Sequence, residues 1–510
     1  MLAALPSPVC YSRIVAAQSP KRELLKRQRR RLLPNLQIVL SRPFTLANAL
    51  NFATIRNVFL LSIILSTATM LYAVSEMRGM FADGSNYIVH ILASEDFYLL
   101  EPARKLVQIL QQSLLILGIQ FGVTDLPTLA RLFTLGALGW PIILTASCWL
   151  ILPRGQKGWI IGPLINLVAL CPMTSLAAIG EGMIASCLLW IIFFLVLFRT
   201  HNIWGALLAI SVTALGAVTH ETAAMFFVGL AALAIMRRRD RSLVERLTQF
   251  AISAAAIWSA CYLISVTLHP RDLANRADFL IGILALAFVE LHGVNLTAVA
   301  TMVSCVSIFQ IMRAQNKGEI AQPILLSSVS FFFLIAALWA FAPEWTVTPV
   351  AQFSGRGLPV LGTTLLSFGL WVGWRNGVKP EFLISKPALL VLFGLLLTQS
   401  VAQVVMTRQW ANTLDTVTGI IERREGRVPW QTALETAAPR NPILWKEMIW
   451  YSEIQPLSLL LAPQGRVHAV IDAPTSERWK PFQLDAPASL PKSRFWDAAP
   501  YAAAVENPQQ

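Results

Sequence analysis

The sequence predicts an all-α polytopic membrane protein of about eleven transmembrane helices, with a cytoplasmic N-terminus and a small α/β C-terminal domain on the outer face. Three observations lead there. Hydrophobic residues fill 55% of the 510 positions and charged residues only 14%, and the mean hydropathy is +0.58. A water-soluble chain of this length has too little interior for so much apolar surface. Apolar runs of roughly 17–25 residues, the length that crosses a bilayer, recur along the chain. Finally, the Lys and Arg behind the formal net charge of +13 sit in short clusters between those runs. That placement sets membrane topology. It argues against nucleic acid as a partner, because nucleic-acid binders carry their cations along a solvated face.

Residues 1–56 form a basic N-terminal segment. The cluster from Lys21 to Arg31 is followed by a mixed stretch, not an apolar core, so a cleavable signal peptide is not expected. The run Asn57–Ser75 then reads as a signal anchor whose basic flank stays inside. Spans are expected near 57–76, 131–152, 158–177, 183–199, 203–219, 222–236, 247–268, 294–312, 323–342, 357–374 and 386–405, which together make a bundle over 57–405. In this register Arg154–Lys157, Arg199–Asn202, Arg237–Arg241, Arg313–Lys317 and Arg375–Lys379 face the cytoplasm, and each loop carries Lys or Arg. Asp83, Glu95, Asp96, Glu101, Asp125, Glu181, Glu221, Asp272, Asp278 and Glu344 fall on the opposite side.

The register holds only if Leu106–Phe121 does not cross. This run is interrupted by Gln108, Gln111 and Gln112, and it is expected to lie as an amphipathic helix on the outer interface within a long first outer loop, 77–130. The segment 406–510 turns polar, with Pro and Trp and no further span. There Arg408–Arg424 reads as helical, and Leu457–Leu461 and Val467–Ile471 as two strands joined by a turn at Pro463–Gly465. Ala486–Gln510 shows no pattern. Cys10, Cys148, Cys171, Cys187, Cys261 and Cys305 have neither disulfide-framework nor zinc spacing, and they read as small core residues.

Acidic residues beside hydrocarbon are costly, so their positions are informative. Asp83 lies just past the first span, before Gly84. Glu181, in Gly180–Gly182, sits in a tight outer turn. His220 and Glu221 end another tight hairpin, where they can supply acid/base function or metal ligands, or simply form a polar junction with Thr219 as helix cap. Arg356, flanked by Gly355 and Gly357, is placed to grip a phosphate on the side where Arg is sparse, or to touch lipid headgroups. Arg104, at the start of the interfacial helix, is a second phosphate candidate. Converging, these groups would suit a substrate with an anionic head at the interface and a tail in lipid, the shape of a polyprenyl-phosphate-linked sugar donor. A carboxylate there could take a proton or hold a divalent cation, Mg or Mn. Trp410, Trp430, Trp445, Trp450 and Trp479 could face sugar rings, although a small-domain core is the commoner use of such residues.

With Asp83 early in a long first outer loop of amphipathic helices, an N-in first span, and a many-span bundle before an outer domain, the chain resembles the glycosyltransferase C superfamily. These membrane enzymes use lipid-linked sugar donors. The resemblance covers the layout of residues 57–405. It implies that Asp83 is the catalytic base or a metal ligand, with Glu181, Glu221 and His220 in support. The family's paired acidic motif is reduced here to Asp83 followed by Gly84, with Glu95-Asp96 later in the loop. The implied setting is a bacterial inner (plasma) membrane with the C-terminal domain periplasmic, and the implied acceptor an envelope glycan, lipid or protein. Two alternatives stay open: an envelope glycan polymerase or ligase, and a transporter or flippase. The latter would use mid-span polar residues such as Asn166, Pro172, Gln310 and Gln399.

Overall fold

The computed structural model describes residues 54–81, 83–171, 180–237, 243–268, 349–375, 386–437, 454–471 and 492–506. Thr54–Gln510 is one compact unit. Its helices, in chain order, are α1 (Ile55–Ser75), α2 (Gly84–Ser94), α3 (Lys105–Gln120), α4 (Leu126–Ile151), α5 (Ile161–Ile165), α6 (Glu181–Phe198), α7 (Ile203–Leu215), α8 (Ala224–Arg237), α9 (Leu243–Leu268), α10 (Pro349–Arg375) and α11 (Lys386–Ile421). Strand β1 (Gly426–Val428), α12 (Trp430–Ala437), α13 (Ile454–Leu460), β2 (Ala469–Ile471) and α14 (Ala499–Glu506) complete the described chain.

Four of these helices are long and apolar enough to cross a membrane: α1, α4, α6 and α9. The finer expectation of eleven spans reaches beyond the described residues. Ile203–Val218 and Pro359–Val372 are apolar but shorter, and the expected spans at 294–312 and 323–342 lie outside the described residues. Local chemistry starts the long helices cleanly. The Thr54 side chain accepts the Asn57 N–H ahead of α1 at 3.2 Å, Asp125 accepts Thr128 N–H ahead of α4 at 2.9 Å, and Asn202 accepts Gly205 N–H ahead of α7 at 2.7 Å. The α6 helix is apolar all round and is buried along nearly its whole length, as a central helix must be. Around it Trp190, Phe193, Phe194 and Phe198 make an aromatic layer, which Phe368 of α10 joins 5.9 Å from Phe193. By contrast α1, α8 and α9 leave large apolar side chains exposed, among them Ile64, Met225 and Phe250, as lipid-facing helices do.

The α3 helix corrects the sequence reading in one respect. Its glutamines do not face outward: Gln108, Gln111 and Gln112 are buried, while Ile109 and Leu117 are exposed. The helix packs its polar stripe onto α4 and α6. Gln112 brackets the Tyr98 backbone, accepting from its N–H at 2.9 Å and donating to its C=O at 2.8 Å. Trp140 Nε1 donates to Leu110 O at 2.8 Å and pins α3 to α4.

The C-terminal part also differs in detail from the expectation. The helix expected from Arg408 continues the helix at the expected span 386–405, since α11 runs unbroken through residues 405 and 406. Leu457–Leu461 does not form a strand; α13 occupies Ile454–Leu460 and buries every residue. A run buried on all sides carries no period to separate strand from helix, and Pro456 in the first turn suits a helix start. The second expected strand survives as β2, which pairs in parallel with β1, Gly426 opposite Ala469 and Val428 opposite Ile471. Between α13 and β2, Gln464 and Gly465 adopt φ of 53° and 72° to turn the chain. Trp410 and Trp430 belong to the core: Trp410 meets Phe81 edge-on at 5.5 Å, and both are buried. Trp445, Trp450 and Trp479 lie outside the described residues.

Candidate functional site

The polar residues of the bundle gather at two ends. One end holds the loops predicted to be cytoplasmic. There Arg199 donates from Nε to Ile151 O at 2.8 Å and from Nη2 to Leu150 O at 3.2 Å. Lys157 Nζ donates to Leu152 O at 2.9 Å and to Trp149 O, and Arg237 Nη1 to Val196 O at 2.7 Å. Each cation caps carbonyls in the last turn of a helix or just past it.

At the other end the carboxylates meet side chains. Glu181 opens α6, where the helix dipole favours an anion. Glu221 opens the short turn Glu221–Ala223 before α8, and Arg104 closes the turn Pro102–Arg104 before α3. Arg104 Nε donates to Glu221 Oε2 at 2.9 Å and Nη2 to Glu221 Oε1, a two-pronged pairing, while Nη1 lies 3.7 Å from Glu181 Oε2. The other Glu181 oxygen accepts from the Tyr87 hydroxyl at 2.7 Å and from Gln108 Nε2 at 3.3 Å. Gln108 Nε2 also donates to the Tyr87 oxygen at 3.1 Å. Four segments far apart in the chain are thereby tied together.

The electrostatics follow from that geometry. Burial opposes ionisation of Glu221, but the Arg104 guanidinium outweighs it and holds the carboxyl well below the usual carboxylate range. Burial likewise opposes the charge on Arg104, and Glu221 and Glu181 more than restore it. For Tyr87 burial acts first, then the charges of Glu181 and Asp83, and all push the phenol well above its ordinary value. It keeps its proton at neutral pH and donates it to Glu181.

His220 is buried, and its Nδ1 accepts from the Thr222 N–H at 3.3 Å and lies 2.9 Å from the Thr222 hydroxyl. The imidazole therefore caps the turn before α8, the task expected of Thr219, whose hydroxyl instead donates to Gly216 O at 2.7 Å. Although Glu221 Oε2 lies 3.6 Å from Nδ1, an Nδ1 that accepts an N–H has no proton to offer it.

Asp83 stands at the N-cap of α2 and makes no side-chain cap bond; its carbonyl accepts Tyr87 N–H at 3.0 Å. One helical turn separates it from Tyr87, so its charge acts on the network. The glycine after it is a steric necessity: a Cβ at Gly84 would fall 1.6 Å from Gly79 O. No second acid fits at that position in this fold. Gly79, in turn, fits against Thr134 and donates its N–H to Thr134 Oγ1 at 2.9 Å. Arg356 lies within α10, with its side chain outside the described set. Glu95 pairs with Arg494 on the surface at 2.8 Å.

Sequence reasoning missed Tyr87, Gln108 and Arg78. The Arg78 guanidinium is buried just past α1 and donates to Gln403 Oε1 at 2.8 Å and Thr407 Oγ1 at 3.2 Å; burial lowers its pKa to about 10. An Arg directly behind the first span, on the acid-rich side, was the available signal. Tyr87 carried none, and Gln108 stood out only as an interruption of the apolar run. The Glu181–Glu221 pair does not fit a divalent cation, because a guanidinium already lies between the carboxylates. Among the described residues no group of three or more His, Cys, Asp or Glu is placed to hold a metal. No family model matches the chain, and neither a curated protein nor a solved structure matches it.

Proposed function

We propose that the chain is a membrane glycosyltransferase of the glycosyltransferase C type, moving a sugar from a polyprenyl-phosphate donor to an envelope glycan, lipid or protein on the outer side of the membrane. One observation carries this reading: the largely buried Glu181–Arg104–Glu221 network, through Tyr87, fixes the loop bearing Asp83 against the acid-rich end of the bundle. Asp83 is the base. It takes the proton of the acceptor hydroxyl as that oxygen bonds to the anomeric carbon, and the C–O bond to phosphate breaks with its electron pair leaving on the lipid phosphate. Arg104, already engaged by two carboxylates, positions the loop, and the phosphate falls to Arg356. Glu221, held ionised by Arg104, is likewise a positioning residue.

Asp83→Asn in cells with labelled envelope glycans tests the reading. Transfer should drop on the order of 100-fold in a well-expressed variant, the scale of losing a general base. Unchanged glycan composition overturns the catalytic role. A flippase without chemistry is the second reading. It is favoured by the π-helical turn Asn166–Leu170, which follows α5 at a buried asparagine inside the bundle, since such turns are frequent at functional sites. Substrate uptake into proteoliposomes by the Asp83→Asn protein would select it.

A further inference from the structure

The inward stripe of α3 holds two acceptors that the fold leaves unused. The amide of Gln108 has only one workable orientation. A carboxylate accepts and cannot donate, and the Tyr87 hydroxyl gives its proton to Glu181, so the group of Gln108 that faces both must be the NH2. Its Oε1 therefore points elsewhere, buried and without a hydrogen-bond donor. Gln111, three residues on and on the same face of the helix, is also buried, makes no side-chain hydrogen bond, and has an Oε1 in the same condition. Gln112 is the internal control: equally buried, it spends both ends of its amide on the Tyr98 backbone. A buried carbonyl oxygen without a donor is costly, more so near a bilayer where water is scarce. Other buried amide oxygens in the bundle also lack donors, but these two share one helix face, and a ligand that brings O–H donors would satisfy both.

We propose that Gln108 and Gln111 form a subsite for the hydroxyl groups of a neutral sugar ring. The assignment deepens the transferase reading and rests on it for the identity of the ligand as the moiety being moved. Carboxamide oxygens are neutral acceptors suited to O–H donors, and the Glu181 and Glu221 carboxylates are already engaged by Arg104. The ligand class that fits is a polyol ring, not a phosphate: the groups facing it are acceptors.

The test uses the full-length protein in lipid nanodiscs, titrated with methyl pyranosides of gluco, galacto and manno configuration. Their permethylated counterparts, which keep the ring and lose the O–H donors, serve as controls. At least one pyranoside should bind saturably and its permethylated form should not. Gln111→Met, which removes the acceptor at similar volume, should weaken that binding at least about tenfold, the scale of one lost hydrogen bond to a buried group. Its thermal midpoint should stay unchanged or rise, because an unused buried acceptor has gone. The proposal fails if no pyranoside binds. It also fails if Gln111→Met binds like the parent chain, or if that variant melts lower, which would show the acceptor already satisfied by water. The transferase reading is separable: Asp83→Asn that binds the pyranoside yet still transfers sugar defeats the catalytic role and leaves the subsite standing.

Discussion

At one end of the helices Arg199, Lys157 and Arg237 give their hydrogen bonds to main-chain carbonyls; at the other, Arg104 gives its own to the Glu221 carboxylate and lies 3.7 Å from that of Glu181. The difference separates two uses of charge in one molecule. Cations on helix C-termini answer a need every helix has, and they carry no chemistry beyond topology and capping. The Glu181–Arg104–Glu221 network answers no such need. It puts two carboxylates into a nearly closed site and then supplies the guanidinium that keeps them there.

The contrast can be broken most forcefully at Arg104. Arg104→Met leaves the buried Glu181 and the largely buried Glu221 without their cation, and it should cost up to about 3 kcal/mol in detergent-solubilised protein, the lower end for removing one partner from a buried pair. Unfolding by SDS titration reads it. The pH dependence is a subtler probe. Glu221 has a folded pKa below its unfolded one, so the stability it contributes is present above the unfolded value of 4.5 and is lost as pH falls below it. Thermal midpoints of the parent protein should hold from neutral pH to about 4.5 and then fall. In Arg104→Met the cation that outweighs burial is gone, the Glu221 carboxyl moves back up, and the midpoint should no longer fall below pH 4.5 but hold or rise as the carboxyl is neutralised. The smallest effect belongs to the other end: Arg199→Gln should cost only about 0.3–1 kcal/mol, the range for a cation at a helix C-terminus. A loss as large as that of Arg104→Met would erase the distinction.

Much of this was legible in the residues. Glu181, Glu221 and Arg104 stand out because acids and bases between apolar runs are expensive and few, and the structure brings these three together with His220. The α1, α4, α6 and α9 spans were legible from their length. The partner Tyr87 was not: it sits in a stretch of mixed polarity where no spacing marks it. The glutamines of α3 were visible, but their direction was not, because a polar stripe fits an aqueous face and a buried network equally well. Nor could periodicity tell that Leu457–Leu461 belongs to a helix, since all of α13 is buried. Gly84 is the clearest case of a signal readable only afterwards: what looks like a missing acid beside Asp83 is a position where a Cβ has no room.

A double-mutant cycle on Arg104→Met and Glu221→Gln tests the network most directly. If the two side chains act as one buried pair, the double variant should be less destabilised than the two single costs summed, with a coupling energy of about 2 kcal/mol or more. Additivity within about 0.5 kcal/mol would mean that the two residues do not depend on each other, and the account of the acidic end as a single charge network would be wrong.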